Sequence, residues 1–383
     1  MSETDRKPLI EGTDVWVVKV GSRVLTGPDG HLDRMHLGRL AQQLVCLADA
    51  GKQVVLVSSG AVASGIGKLG LAARPTDLAE LQAVAAVGQA HLIQTYEHFF
   101  TQNGRHAGQI LLTADDLDNR TRYLNVRNTL LTLLRFGVIP VINENDTVAV
   151  DELMTTFGDN DRLAAMVAGL LPRPMLVILS DVAGLYDRDP TDPAAGVLHT
   201  VARVDDATFD LVRDRRTGLS KGGMGSKLKA AQFVTGSGSP VIIACGRDEN
   251  VLLRLFEGEQ LGSLFLPQSR SLAPRKRWIG FSAQCSGEVH VDDGAVRAII
   301  TEGRSLLAIG IREVSGKFEK GDIVSIVAPD GREIARGLIN YSAADVQQIR
   351  GCRSPRIAEI LGKRPYEEVV HRDNMAITSA QTV

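Results

Sequence analysis

Six short runs of aliphatic and β-branched residues, at positions 15–20, 54–58, 108–112, 138–142, 176–179 and 241–244, stand out along the first two thirds of the chain. Each is almost continuously apolar, the pattern of strands covered on both faces. The segments between them carry helical periodicity. Residues 33–52 place Met35, Leu40, Leu44 and Leu47 on one side and close near Gly51. Residues 78–103 form a long helical stretch that ends at a glycine, 123–136 ends before Gly137, and 160–171 stops ahead of Pro172. Continuous strands alternating with helices predict an α/β fold, a mostly parallel sheet sandwiched by helices.

One strand breaks its own pattern. In "VWVVKVGSRVL", residues 15–25, Lys19 interrupts the valines just ahead of a Gly-Ser-Arg turn. A lysine there either runs its stem out to water or sets its charge at the carboxyl edge of a parallel sheet, where ligands collect.

After about residue 266 the texture changes. "PQSRSLAPRKRW" is polar, basic and proline-containing, and reads as a linker over 267–277. Beyond it come brief alternating segments, "GEVHVD", "SLLAIGI", "GDIVSIV" and "REIARGLI", separated by Gly or Asp-Gly turns. That spacing predicts a small β-rich domain. The expected organisation is a first domain over 1–266 and a second, with the C-terminal tail, over 278–383.

The 383 residues are 44% hydrophobic and 23% charged, which permits a sizeable core without disulfide staples. A net charge of -2 supplies no whole-chain attraction to nucleic acid or an acidic membrane. Cys46, Cys245, Cys285 and Cys352 form no Cys-x-x-Cys pair and read as reduced, mostly buried small hydrophobes. The polar N-terminus lacks the apolar core of a signal peptide, and no apolar run approaches the ~18 residues of a membrane span. A cytoplasmic location is expected, without membrane association.

Polar and glycine residues gather where the carboxyl ends of the strands should lie. The first strand ends in Lys19-Val20-Gly21-Ser22, the second runs into "SSGAVASG", residues 58–65, and the fourth into "NENDTVAVDE", residues 143–152. "FGDND", residues 157–161, precedes a helix, the fifth strand ends in Ser180-Asp181, and "LSKGGMGSK", residues 219–227, precedes another helix. Glycines let backbone N–H groups approach a ligand, and such groups at helix starts form anion sites. Lys19 and Lys227 add two point charges. The inventory is a phosphate-binding site beside a carboxylate- and amide-rich pocket.

Two familiar motifs mislead. "GIGKLG", residues 65–70, matches G-x-G-x-x-G literally, but it is separated from its strand and Pro75 soon follows. "HRD", residues 371–373, lies near the C-terminus without the other protein-kinase motifs. No G-x-x-x-x-G-K-[ST] occurs, and the eight histidines show no metal-binding spacing.

"VVKVGSRVLT", "VLVSSGAVASG", "PVINENDTV", "GDNDRLAA", "SDVAGLYDRDP" and "KGGMGSK" occur in the order seen in the glutamate 5-kinase branch of the amino-acid kinase family, which the chain resembles over nearly its whole length. Its C-terminal part, with "RKRWIGF", "GRSLLAIGI" and "VVHRDNM", resembles a PUA domain. The resemblance implies an amino-acid kinase fold and transfer of the ATP γ-phosphoryl group to the side-chain carboxylate of L-glutamate, the first step toward proline. It implies that Lys19 and Lys227 meet the phosphate oxygens, that Asp161 holds both lysines, and that Mg²⁺ bridges the nucleotide phosphates with few protein ligands. For glutamate it points to Ser59 with the Gly60 and Ala61 amides facing the substrate carboxylate, to Asp146 for the α-ammonium, and to Asn160. On residue chemistry alone these are a turn hydroxyl, a loop acid and an ordinary helix N-cap. For ATP it points to Lys19, Ser180, Asp181, Lys221, Gly222, Gly223, Met224, Gly225, Ser226 and Lys227. The family usually has Thr where Lys221 stands, so a hydroxyl is exchanged there for a charge. Feedback inhibition by proline and assembly as a dimer or tetramer are implied by the family alone.

Two other readings compete. Another phosphoryl-transferring member of the family would act on acetylglutamate, aspartate, carbamate or a nucleoside monophosphate; the "NEND" and "GDND" pair and the PUA-like part favour glutamate. An inactive RNA-binding protein would use the basic "RKRW" edge, but aromatics are only 4% of the chain, too few for base-stacking platforms.

Overall fold

The computed structural model describes residues 6–149, 160–212, 223–268, 279, 285–362 and 366–378. The chain divides into two compact units, residues 1–271 and 272–383. Most of the 267–277 stretch read as a linker lies outside the described residues.

Eight strands build the sheet of the first unit: β1 (Val15–Val20), β2 (Gln53–Ser58), β3 (Ala107–Leu112), β4 (Ile139–Glu144), β5 (Pro174–Ser180), β6 (Thr200–Val201), β7 (Val241–Cys245) and β8 (Ser263–Phe265). Their order is β3-β4-β2-β1-β5-β7-β8-β6. Every neighbouring pair from β3 to β7 is parallel, whereas β8 runs antiparallel to β7. The chain lays β2 on one side of β1 and β5 on the other. At such a switch point the loops leave the sheet in opposite directions and open a crevice at the strands' carboxyl ends.

Side chains of β1 alternate between two covered faces. Trp16, Val18 and Val20 join a core with Leu37, Leu40, Leu44 and Leu47 of the Arg34–Asp49 helix and Leu92, Tyr96 and Phe100 of the Leu78–Thr101 helix. Val15, Val17 and Lys19 share the opposite face, against the Asn160–Leu170 helix, which is buried along its length apart from Arg162. Met35 is not on the buried side as expected; it is 77% exposed. Five residues turn a helix through about 500°, which leaves Met35 about 140° from Leu40. His36 and Leu37 are buried instead. No cysteine is buried either: Cys46 is exposed on the outer side of its helix, and Cys245, Cys285 and Cys352 are partly exposed.

Two helices meet backbone to backbone beside the crevice. A Cβ on Gly65, in the Ala61–Leu69 helix, would stand 2.0 Å from the Val84 carbonyl oxygen, and one on Gly88 would stand 1.8 Å from that of Ala61. The "GIGKLG" motif is thus the second half of this helix and its left-handed cap at Gly70 (φ 65°), with no phosphate-binding turn in it.

The second unit carries a five-stranded sheet, β9 (Gly287–Val291), β10 (Ile311–Gly316), β11 (Ile323–Val327), β12 (Glu333–Ile339) and β13 (Val370–Ile377), ordered β10-β9-β11-β12-β13. The segment 305–311, read as strand-like, is mostly not strand: Leu306 bridges Val370, a 3-10 turn spans Ala308–Gly310, and Ile311 opens β10. "HRD" lies inside β13, an extended strand and not a catalytic loop. Helices Asp293–Ile300 and Ala343–Ile349 cover the core formed by Val289, Val324, Ile326 and Val370.

Candidate active site

Lys19 does not reach water. Its side chain is 6% exposed and its Nζ lies 2.8 Å from Asp161 Oδ1, while Lys227 Nζ donates to Asp161 Oδ2 at 3.0 Å. Asp161, 2% exposed, stands in the first turn of the Asn160–Leu170 helix. Lys227 stands in the first turn of the Met224–Gly236 helix, and its Nζ also reaches the Gly223 carbonyl at 3.4 Å. The Ser226 hydroxyl donates to Asp161 Oδ2 at 2.7 Å. Burial alone would raise the Asp161 pKa, but Lys19, Lys227 and the Ser226 hydroxyl bring it below the ordinary carboxylate value. Two ammonium groups share one carboxylate in a buried setting, so one positive charge is left for an anion to neutralise. The first turns of both helices border the same cavity, and their N–H groups favour the same sign of ligand.

A relay of neutral amides lies beside this charge cluster. Asn160 is the first residue of its helix, yet its side chain is no cap: Nδ2 donates to Ser59 Oγ at 2.9 Å and to Asn143 Oδ1 at 3.0 Å. Asn143 in turn donates to Gln89 Oε1 at 2.8 Å. Asn160 Oδ1 and Gln89 Nε2 are buried without a hydrogen-bond partner. Since Ser59 Oγ accepts from Asn160, its own hydrogen is available to a ligand. Gly60 holds φ 104°, a left-handed conformation that favours glycine, and turns the chain so that the Ala61–Leu69 helix starts on the cavity wall.

Asp146 follows β4 in a turn and lines the same cavity. Burial and the neighbouring Glu144 push its pKa up to about 6, against a downward pull from Arg74. At the other end Ser180 Oγ donates to Asp181 Oδ1 at 3.1 Å, and Arg23 Nη1 stands 2.9 Å from Asp181 Oδ2.

The cavity thus brings together Lys19, Ser59, Gly60, Ala61, Asp146, Asn160, Asp161, Ser180, Asp181, Gly223, Ser226 and Lys227. Met224 and Gly225 are in the adjoining helical turn but do not border it, because that turn directs Gly225 into the core. Lys221 and Gly222 lie outside the described residues. Arg23, Arg74 and Asn143 border it without having been singled out by sequence. For Asn143 a signal existed, since an asparagine ending an apolar strand needs polar partners once buried. Arg23 stood in the quoted "GSR" turn; nothing in the sequence pointed to Arg74. Among the described residues no group of three or more His, Cys, Asp or Glu side chains could hold a metal ion.

The model of the amino acid kinase family matches residues 14–245, which include every residue of this cavity, and that of the PUA domain matches residues 287–361. Glutamate 5-kinase of Rhodopirellula baltica is 52% identical over 372 residues, 97% of this chain and 96% of the relative. Glutamate 5-kinases of Pseudomonas syringae pv. tomato and Pseudomonas fluorescens (strain Pf0-1) are 49% and 50% identical, each over 96% of this chain and 99% of the relative.

Proposed function

From the premise that this chain belongs to the amino acid kinase family, we propose that it transfers the γ-phosphoryl group of ATP to the side-chain carboxylate of L-glutamate, the first step of proline biosynthesis. The observation that carries this reading is the single buried carboxylate of Asp161 shared by Lys19 and Lys227. Phosphoryl transfer asks for in-line placement of two anionic reactants and for neutralisation of charge spreading over the moving group. The acceptor carboxylate is already ionised at neutral pH, so no general base is needed. Lys19 and Lys227 approach the transferred group from the two arms of Asp161, which holds both ammonium groups in place before the reactants arrive.

Ser59 and the Gly60 and Ala61 amides face the glutamate side-chain carboxylate, Asp146 takes the α-ammonium, and Asn160 offers its unpartnered Oδ1 to the same substrate. Ser180, Asp181, Gly223 and Ser226 hold the nucleotide, to which the family resemblance adds Lys221 and Gly222. The carboxylates fit a Mg²⁺ ion held chiefly by phosphate oxygens: Asp161 is committed to two lysines and Asp181 to Arg23. When bound, that ion supplies neutralisation of the nucleotide's charge.

The test is ATP- and Mg²⁺-dependent hydroxamate formation from L-glutamate, run beside acetylglutamate, aspartate, carbamate and a nucleoside monophosphate. Glutamate should be preferred, and preference for another acceptor would overturn the assignment. Lys227→Ala should lower kcat by more than about tenfold in a folded protein; a smaller loss would remove Lys227 from the chemistry. Proline as feedback inhibitor, a cytoplasmic location, a homo-oligomer and an RNA contact through the PUA unit complete the proposal. Light scattering checks the oligomer, adding proline to the assay checks inhibition, and RNA titration at two salt concentrations checks the last contact.

A further inference from the structure

We propose that Arg74 is a specificity residue that receives the α-carboxylate of the amino-acid substrate, across from Asp146. The inference rests on the glutamate-kinase reading and extends it to how the acceptor is chosen. Arg74 lies between the Ala61–Leu69 and Leu78–Thr101 helices and lines the same cavity as Asp146. Its charge acts on Asp146, yet among the described residues neither side chain has a hydrogen-bond or ion-pair partner within the protein. Two opposite charges on one cavity, too far apart to pair with each other, complement a ligand that carries both charges on neighbouring atoms. The head of an α-amino acid is such a group.

The remaining donors are assigned to the phosphoryl group and the reacting carboxylate. Lys19 and Lys227 are tied to Asp161, and Ser59 with the adjoining amides lies beside them. A second substrate carboxylate therefore finds Arg74 as the unpaired cation at the Asp146 end of the cavity. Pro75 restricts the Arg74 backbone to extended conformations, which lowers the cost of holding the guanidinium at the rim. An exposed arginine on a loop also leaves the core untouched when it is replaced.

The experiment compares wild type, Arg74→Ala and Arg74→Lys with two acceptors, L-glutamate and L-glutamate α-amide, which keeps the ammonium and the reacting carboxylate but has a neutral carboxamide in place of the α-carboxylate. Arg74→Ala should raise the glutamate KM about tenfold, the low end for a charged hydrogen-bonding pair because the site is solvent-exposed. The ATP KM and kcat should stay within about twofold, showing that the fold and the phosphoryl site are intact. The kcat/KM for the α-amide should hardly change, so the preference for glutamate collapses, and Arg74→Lys should keep part of it. Equal losses on both acceptors, an unchanged glutamate KM, or a wild type indifferent to the α-carboxylate would each overturn the proposal. If the α-amide is not turned over at all, the glutamate KM alone decides. A wild type that does not phosphorylate glutamate refutes the underlying function, whereas an active wild type with an indifferent Arg74→Ala refutes only this assignment.

Discussion

At the scale of single residues, the lysine in the first strand is the most informative feature of the sequence. The apolar run of β1 was readable, but the partner of Lys19 was not, because Asp161 lies 142 positions away and only folding brings the two within 2.8 Å. Family likeness named the pair; packing explains why it is stable. Asp161→Asn removes the only carboxylate that, among the described residues, pairs with Lys19 and Lys227. We expect kcat to fall by at least about a hundredfold and chemical denaturation to show a loss of about 3 kcal/mol, the lower range for breaking a buried ion pair. An asparagine variant with wild-type stability would mean that the lysines are solvated. Asp146 gives a prediction of a different kind. Its pKa of about 6 means that its carboxylate takes up a proton as pH falls through that value, so the attraction we propose for the substrate ammonium is lost. The glutamate KM should climb steeply below pH 6 while the ATP KM stays flat, and Asp146→Asn should abolish that difference.

At the scale of elements, long and strongly periodic segments were legible and short ones were not. The strands at 15–20 and 241–244 and the long helix from Leu78 carry enough residues for a period to show. β6 has two residues and β8 three, too few for any pattern, and β13 hides behind polar residues at its exposed edge. The Ala61–Leu69 helix escaped notice for another reason. Its small residues draw no apolar stripe in the sequence and serve close packing instead: Gly65 and Gly88 leave no room for a methyl group between the helices. Gly88→Ala should therefore force the helices apart and cost about 3 kcal/mol, the upper range for overpacking. Because the N-terminus of the same helix borders the cavity, the glutamate KM should rise with it; thermal melts and kinetics on the same preparation check both.

At the scale of the whole molecule, a separate β-rich part was readable from the change of texture along the chain, because a parallel sheet and short, turn-separated strands leave different periodicities. What the texture could not reveal was Arg6. The N-terminus read as a polar tail, yet Arg6 is 2% exposed and donates to the carbonyls of His199 at 2.8 Å, Glu259 at 3.3 Å and Gly262 at 3.2 Å, pinning the start of the chain to the far edge of the sheet. Global stability also registers Asp146. In the unfolded chain its carboxyl ionises near pH 4, in the folded one only near 6. The folded state is therefore penalised progressively between those values and fully above them, so Asp146→Asn should raise Tm at pH 7 by the equivalent of about 1–2 kcal/mol, an advantage that vanishes at pH 4. The same half-titrated acid carries a calorimetric signature. On the role proposed for Asp146, an amino acid arriving near pH 6 selects the ionised form and expels about half a proton per site into the medium. The measured heat of glutamate binding should then shift between phosphate and a buffer of high ionisation enthalpy, and Asp146→Asn should abolish that shift.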